Sequence, residues 1–84
     1  MFQKVHEVTS LHNGTVTNVY VDSTAYVYEW EPLLSIENKN KETIVISFGA
    51  SGIITQLNVK SGDQVSDNTI IAVIEDDMQL SGSD

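Results

Sequence analysis

Apolar residues fall in short runs of β-branched and aromatic side chains interspersed with small polar ones. Thr15-Val-Thr-Asn-Val-Tyr-Val21, Thr43-Ile-Val-Ile-Ser-Phe48, Ile53-Ile-Thr-Gln-Leu-Asn-Val59 and Thr69-Ile-Ile-Ala-Val-Ile74 each have the length and composition of a strand. Gly, Asn, Asp, Ser or Lys bound them, and no window sustains an apolar period of 3.6 residues over three turns. The pattern predicts an all-β chain of about seven or eight short strands.

The pattern also repeats. Shifted by 38 residues, Gly14-Thr-Val-Thr-Asn-Val-Tyr-Val21 lies over Gly52-Ile-Ile-Thr-Gln-Leu-Asn-Val59. Val27 lies over Val65, and Pro32-Leu-Leu-Ser-Ile-Glu37 over Ile70-Ile-Ala-Val-Ile-Glu75. An internal repeat of this length makes two copies of one supersecondary unit the starting hypothesis. Each copy has one apolar face, and burial face to face about a pseudo-twofold axis predicts a flattened β-barrel, or barrel-sandwich, of two antiparallel sheets. The link Asn38-Lys-Asn-Lys41 then becomes a tight hairpin at the end opposite the C-terminus.

Turn residues differ between the copies. Asn13-Gly14 and Ala50-Ser-Gly52 precede matching strands, and Ser61-Gly-Asp63 and Ser66-Asp-Asn68 punctuate the second copy. Thr24-Ala25 stands where the second copy has Gly62-Asp63. Threonine is a poor left-handed residue, so a different turn shape is expected there. One domain is expected over residues 1–75, with residues 76–84 an acidic, disordered tail.

The 84 residues hold no cysteine, which excludes a disulfide framework and thiolate metal sites. The net charge of −8 argues against nucleic acid and anionic membrane as partners. No apolar run approaches the roughly 20 residues of a membrane span, and no signal peptide is recognisable, so a soluble, cytoplasmic protein is expected. Two of the four lysines, Lys39 and Lys41, sit on the link.

The segment Ser51-Gly-Ile-Ile-Thr-Gln-Leu-Asn-Val-Lys-Ser-Gly-Asp-Gln-Val-Ser-Asp-Asn-Thr-Ile-Ile-Ala-Val-Ile-Glu75 resembles the C-terminal half of biotinyl/lipoyl-attachment domains. It shares with them a Gly before a strand, a Val-x-x-Gly-Asp-x-Val turn and an apolar strand ending in Glu. Gly14, Val21, Val27 and Pro32-Leu-Leu-Ser-Ile-Glu37 extend the resemblance to the first half. It implies a carrier whose inter-copy hairpin presents a lysine for acylation by a ligase with biotin or lipoate. The arm then visits partner enzymes, and the chain itself catalyses nothing. Biotin carriers have Met-Lys-Met at that hairpin and lipoyl carriers usually Asp-Lys-Ala, whereas this chain reads Glu37-Asn-Lys-Asn-Lys-Glu42. Counting from Glu37 puts the attachment position on Asn40, and counting back from Gly52 puts it on Lys41. One extra hairpin residue accounts for the difference. Lys41 is the first candidate, Lys39 the second, with Asn38 and Asn40 as the hairpin framework.

Two readings therefore stand side by side: a carrier with biotin or lipoate, and an interaction or structural module carrying neither. The second draws on Tyr26, Tyr28 and Trp30. They alternate at period two and replace the polar Gln64, Ser66 and Asn68. They form either an exposed partner or weak-dimer patch or an enlargement of a small core. Monomer and weak homodimer are both open. His6 and His12 have no matched ligands at metal spacing and read as structural or surface residues. Glu75-Asp-Asp77 reads as a solvated charge run, since it lacks the loop pattern of a cation site. The chain has no Gly-x-Ser-x-Gly elbow and no phosphate-cradling loop.

Overall fold

A computed structural model describes residues 4–76. Eight strands follow in chain order: β1 (Val5–Thr9), β2 (Gly14–Val19), β3 (Tyr26–Val27), β4 (Leu34–Glu37), β5 (Thr43–Ile46), β6 (Gly52–Leu57), β7 (Gln64–Val65) and β8 (Ile70–Asp76). They form two four-stranded antiparallel sheets, ordered β1-β8-β6-β3 and β5-β4-β2-β7. The 38-residue shift turns β1 into β5, β2 into β6, β3 into β7 and β4 into β8, and so converts one sheet order into the other. The pseudo-twofold is therefore a property of the topology. Each sheet mixes strands from both copies, a detail that a face-to-face packing of separate copies does not anticipate. The sheets are not closed into a strict barrel, since β1 and β5 are edge strands.

The core obeys the same symmetry. Val16 and Ile54, Val21 and Val59, Val27 and Val65, Leu33 and Ile71, Leu34 and Ala72, and Ile36 and Ile74 are buried pairs 38 residues apart. Buried Val8 has Ile46 as its mate, which packs against the core as the mates Val19 and Leu57 do. Ile36 and Ile74, on the two strands that bury both faces, are fully inaccessible. Full burial of an Ile side chain stabilises by about 1.5–3 kcal/mol.

The repeated glycines are explained by close approach. A Cβ on Gly14 would lie 2.6 Å from the Glu37 carbonyl oxygen, and one on Gly52 would collide with the carbonyl of Glu75. Gly62 is different: its surroundings are open, and a φ of +97° is what demands glycine.

The expectation of a different turn at Thr24 is corrected. Thr24 has φ +73°, the left-handed conformation of Gly62. The Thr24 N–H donates to the Ile54 carbonyl as that of Gly62 donates to Val16, and both turns close by an i to i+3 bond (Ala25 to Asp22, Asp63 to Lys60). This bond to β6, which continues the β3–β6 pairing, holds threonine in a conformation it disfavours by roughly 1–2 kcal/mol. Trp30 (φ +65°) and Asn68 (φ +73°) are a second such pair. A single positive φ at i+2 marks all four as type II turns.

β8 runs through Asp76, whose N–H donates to the Lys4 carbonyl at 2.7 Å. That bond is the twofold image of Asn38 N–H to Glu42 carbonyl in the hairpin. The hairpin thus occupies one end of the fold, and Lys4 and Asp76 the other. Of the tail expected over residues 76–84, Asp76 belongs to β8, and residues 77–84 lie outside the described residues. Among the described residues no helix is long and apolar enough to cross a membrane.

Candidate functional site

β4 and β5 pair from Leu34↔Ile46 to Glu37↔Thr43, and the chain reverses between them. The Lys41 N–H donates to the Asn38 carbonyl at 3.0 Å, closing a turn with Lys39 and Asn40 at its corners. Lys41 follows with φ +67°. This is a three-residue loop, Lys39-Asn40-Lys41, built as a turn plus a left-handed residue.

Asn38 holds the loop together. Its Oδ1 accepts from the N–H groups of Asn40 and Glu42, both at 2.9 Å, and its Nδ2 donates to Glu42 Oε1 at 3.0 Å. Asparagine favours such local bonds to the following backbone. The hairpin is ordered by its own side chain, while Lys39 and Lys41 are both exposed and form no ion pair among the described residues. Lys60, by contrast, lies 3.7 Å from Asp63.

Beside the hairpin lies an open groove of about 630 Å³, floored by Gly14, Thr15 and Gln64 and flanked by His12. The pairing Thr15↔Gln64 brings these elements together. The Asp67 N–H donates to Asn13 Oδ1 at 2.8 Å and ties the loop before β2 to the turn after β7. Sequence reasoning missed this neighbourhood. His12 and Gln64 stand 52 positions apart, and only the crossed strand order places both near the lysines.

Tyr26, Tyr28 and Trp30 are at the other end and are all exposed. The extended-chain picture holds only for Tyr26 and Val27. Tyr28 meets Tyr26 edge-on with ring centroids 5.1 Å apart. Trp30 lies in the following turn with its ring over Gly49, and is 65% exposed, so it adds nothing to the core. His6 is half-buried, with Nε2 3.0 Å from Asp76 Oδ2 and its ring 5.2 Å from that of Phe48. His12 is exposed. Among the described residues no three His, Asp or Glu side chains gather as a metal site would require.

Comparisons with known proteins bear on this geometry. The profile of the biotin/lipoyl family, described as "Biotin-requiring enzyme", matches residues 6–74. Curated proteins give no match. Among solved structures, the urea carboxylase of Kluyveromyces lactis superposes with a TM-score of 0.76 at 22% identity. The superposition covers 84% of this chain and 6% of that one, so the shared fold is a small part of a much longer protein. The profile spans nearly all the described strands and both copies of the repeat, and the chain accordingly belongs to the biotin/lipoyl domain family.

Proposed function

We propose that this chain is a carrier domain, acylated on a lysine of the β4–β5 hairpin and presented to partner enzymes as a mobile arm on a rigid sheet. The observation that carries the reading is the pair Lys39 and Lys41. Both are exposed and, among the described residues, free of ion pairs, on a loop that Asn38 orders, at the end of the fold away from Lys4 and Asp76. Lys41 is the first assignment. It ends the loop one residue before β5, with Glu42 between, and lies at the position reached by counting back from Gly52. Lys39, at the first corner of the turn, is the second.

The chemistry required of the chain is small. The carboxyl of biotin or lipoate, activated in a ligase, forms an amide with Nζ: the bond from the acyl carbon to the activating group breaks, that group leaves with the electron pair, and the amine loses a proton. The domain exposes the amine and offers the ligase a hairpin that Asn38 orders. Multienzyme partners then meet the arm, and the domain takes no part in bond making.

Intact mass of the protein isolated from its own host tests the proposal. The expected result is one biotinyl or lipoyl increment, lost in a Lys41→Ala variant. An unmodified mass, in cells whose other carriers are charged, refutes acylation. It would favour a second reading, an unmodified interaction module that uses the exposed Tyr26, Tyr28 and Trp30.

A further inference from the structure

The two ends of the fold are built on the same backbone and clothed differently. At the hairpin end, cross-strand neighbours form the row Gln64–Thr15–Glu37–Thr43 on the outer face of one sheet. Its twofold image at the far end is Tyr26–Ile53–Glu75–Val5. Directly paired residues share a sheet face. A polar row is thus matched by an apolar one, and Tyr26, Ile53 and Val5 are 38%, 44% and 60% exposed. Tyr28 extends the row from Tyr26, and the turn beyond it places Trp30 over Gly49. The second copy has Ser66 and Asn68 at the positions of Tyr28 and Trp30.

Neither the core nor the backbone calls for these aromatics. The buried pairs are complete without them, and Trp30 occupies a left-handed position that asparagine fills comfortably in the other copy. Carboxylates rim the patch. Glu29 is exposed between Tyr28 and Trp30, Glu31 accepts the Tyr28 N–H at 2.8 Å, Glu75 interrupts the apolar row and Asp76 follows it. Against these stand Lys4 and His6, the latter beside Asp76.

We propose that this face docks a cationic, arginine-bearing segment of a partner protein. Guanidinium planes stack on Tyr and Trp faces and pair with carboxylates at the same time, and exposed Trp and Tyr are the residue types on which binding energy concentrates. A second copy of this chain is disfavoured as occupant. It carries a charge of −8 and would bring its own Glu29, Glu31 and Glu75 against the same groups. The inference is independent of acylation at the hairpin, which lies at the other end.

The test is a titration of the protein with the acetylated, amidated peptide Arg-Leu-Arg-Leu-Arg, followed by Trp30 fluorescence and amide chemical shifts. Glu-Leu-Glu-Leu-Glu serves as control. The variant Tyr28→Ser/Trp30→Asn installs the residues of the second copy, which the fold already accepts at the equivalent turn. Expected are saturable shifts at Tyr26, Tyr28, Trp30, Ile53 and Glu75, none with the acidic peptide, and affinity weakened by about fivefold or more in the variant. The lesser change Glu29→Gln should weaken it by about twofold to fivefold. No binding overturns the proposal, as do shifts spread equally over Asp63, Asp67 and the hairpin with affinity unchanged in the variant. Concentration-dependent dimerisation abolished by that variant would also overturn it, by giving the face to a second copy.

Discussion

Thr24 and Gly62 are an internal experiment on backbone strain, because the pseudo-twofold gives them the same hydrogen bonds and the same sign of φ. Placing threonine at Gly62 meets no atom within 4 Å of the new Cβ, so packing contributes nothing and the backbone term stands alone. A left-handed conformation costs an L-residue about 1–2 kcal/mol. Removing glycine recovers about 0.4–1 kcal/mol of unfolded-state entropy. Gly62→Thr should therefore destabilise by about 0–1.6 kcal/mol, net of the two. Thr24→Gly should stabilise by a similar amount, since Thr24 is exposed and surrenders little burial. In a domain of this size 1 kcal/mol corresponds to about 4–8 °C in Tm. Urea melts of the two single variants and the exchanged double variant supply the assay. The double variant should return close to the parent, because the effects are opposite in sign. A neutral Gly62→Thr together with a destabilising Thr24→Gly would refute the argument. It would mean that the Thr24 side chain, and not the turn backbone, sets the energy at that position.

Other outcomes follow from packing and from the hairpin. Gly52→Ala drives a methyl into the Glu75 carbonyl and should cost about 1–3 kcal/mol or more, read as a lower urea midpoint at unchanged slope. Ile36→Ala opens a cavity in a fully buried site and should cost about 2–5 kcal/mol, with Ile74→Ala in the same range because the two are twofold mates. Asn38→Ala removes the side-chain acceptor of the Asn40 and Glu42 N–H groups. Amide exchange at those two residues should accelerate while Ile36 and Ile74 keep their protection, and global stability should fall by about 1–2 kcal/mol.

The repeat made the architecture legible because burial in this fold is symmetric: Val16 and Ile54, Val27 and Val65, and Ile36 and Ile74 each occupy one site twice. The same comparison hid the mixing of strands, since Gly14–Val19 pairs with both Leu34–Glu37 and Gln64–Val65, and strand order depends on crossovers that no local pattern encodes. Propensity misread Thr24, where a hydrogen bond to Ile54 on the neighbouring strand outweighs a local preference. The period-two reading of Tyr26, Tyr28 and Trp30 failed past Val27 for a related reason. Trp30 turns into a left-handed conformation that an extended pattern cannot foresee. At the hairpin, the lysines of the link were readable, and their place in the three-residue loop Lys39-Asn40-Lys41 came from the backbone bonds of Asn38. The neighbourhood of His12 and Gln64 was not readable, because contact between residues so far apart is a consequence of topology alone.

Acylation of the hairpin is tested most directly at the peptide level. Cleavage after glutamate releases Asn38-Lys-Asn-Lys-Glu42 as one fragment carrying both candidate lysines, because Glu37 and Glu42 bracket the loop. Fragmentation of that pentapeptide from host-isolated protein should place a biotinyl or lipoyl group on Lys41. A bare pentapeptide, alongside charged carriers from the same cells, would contradict the account.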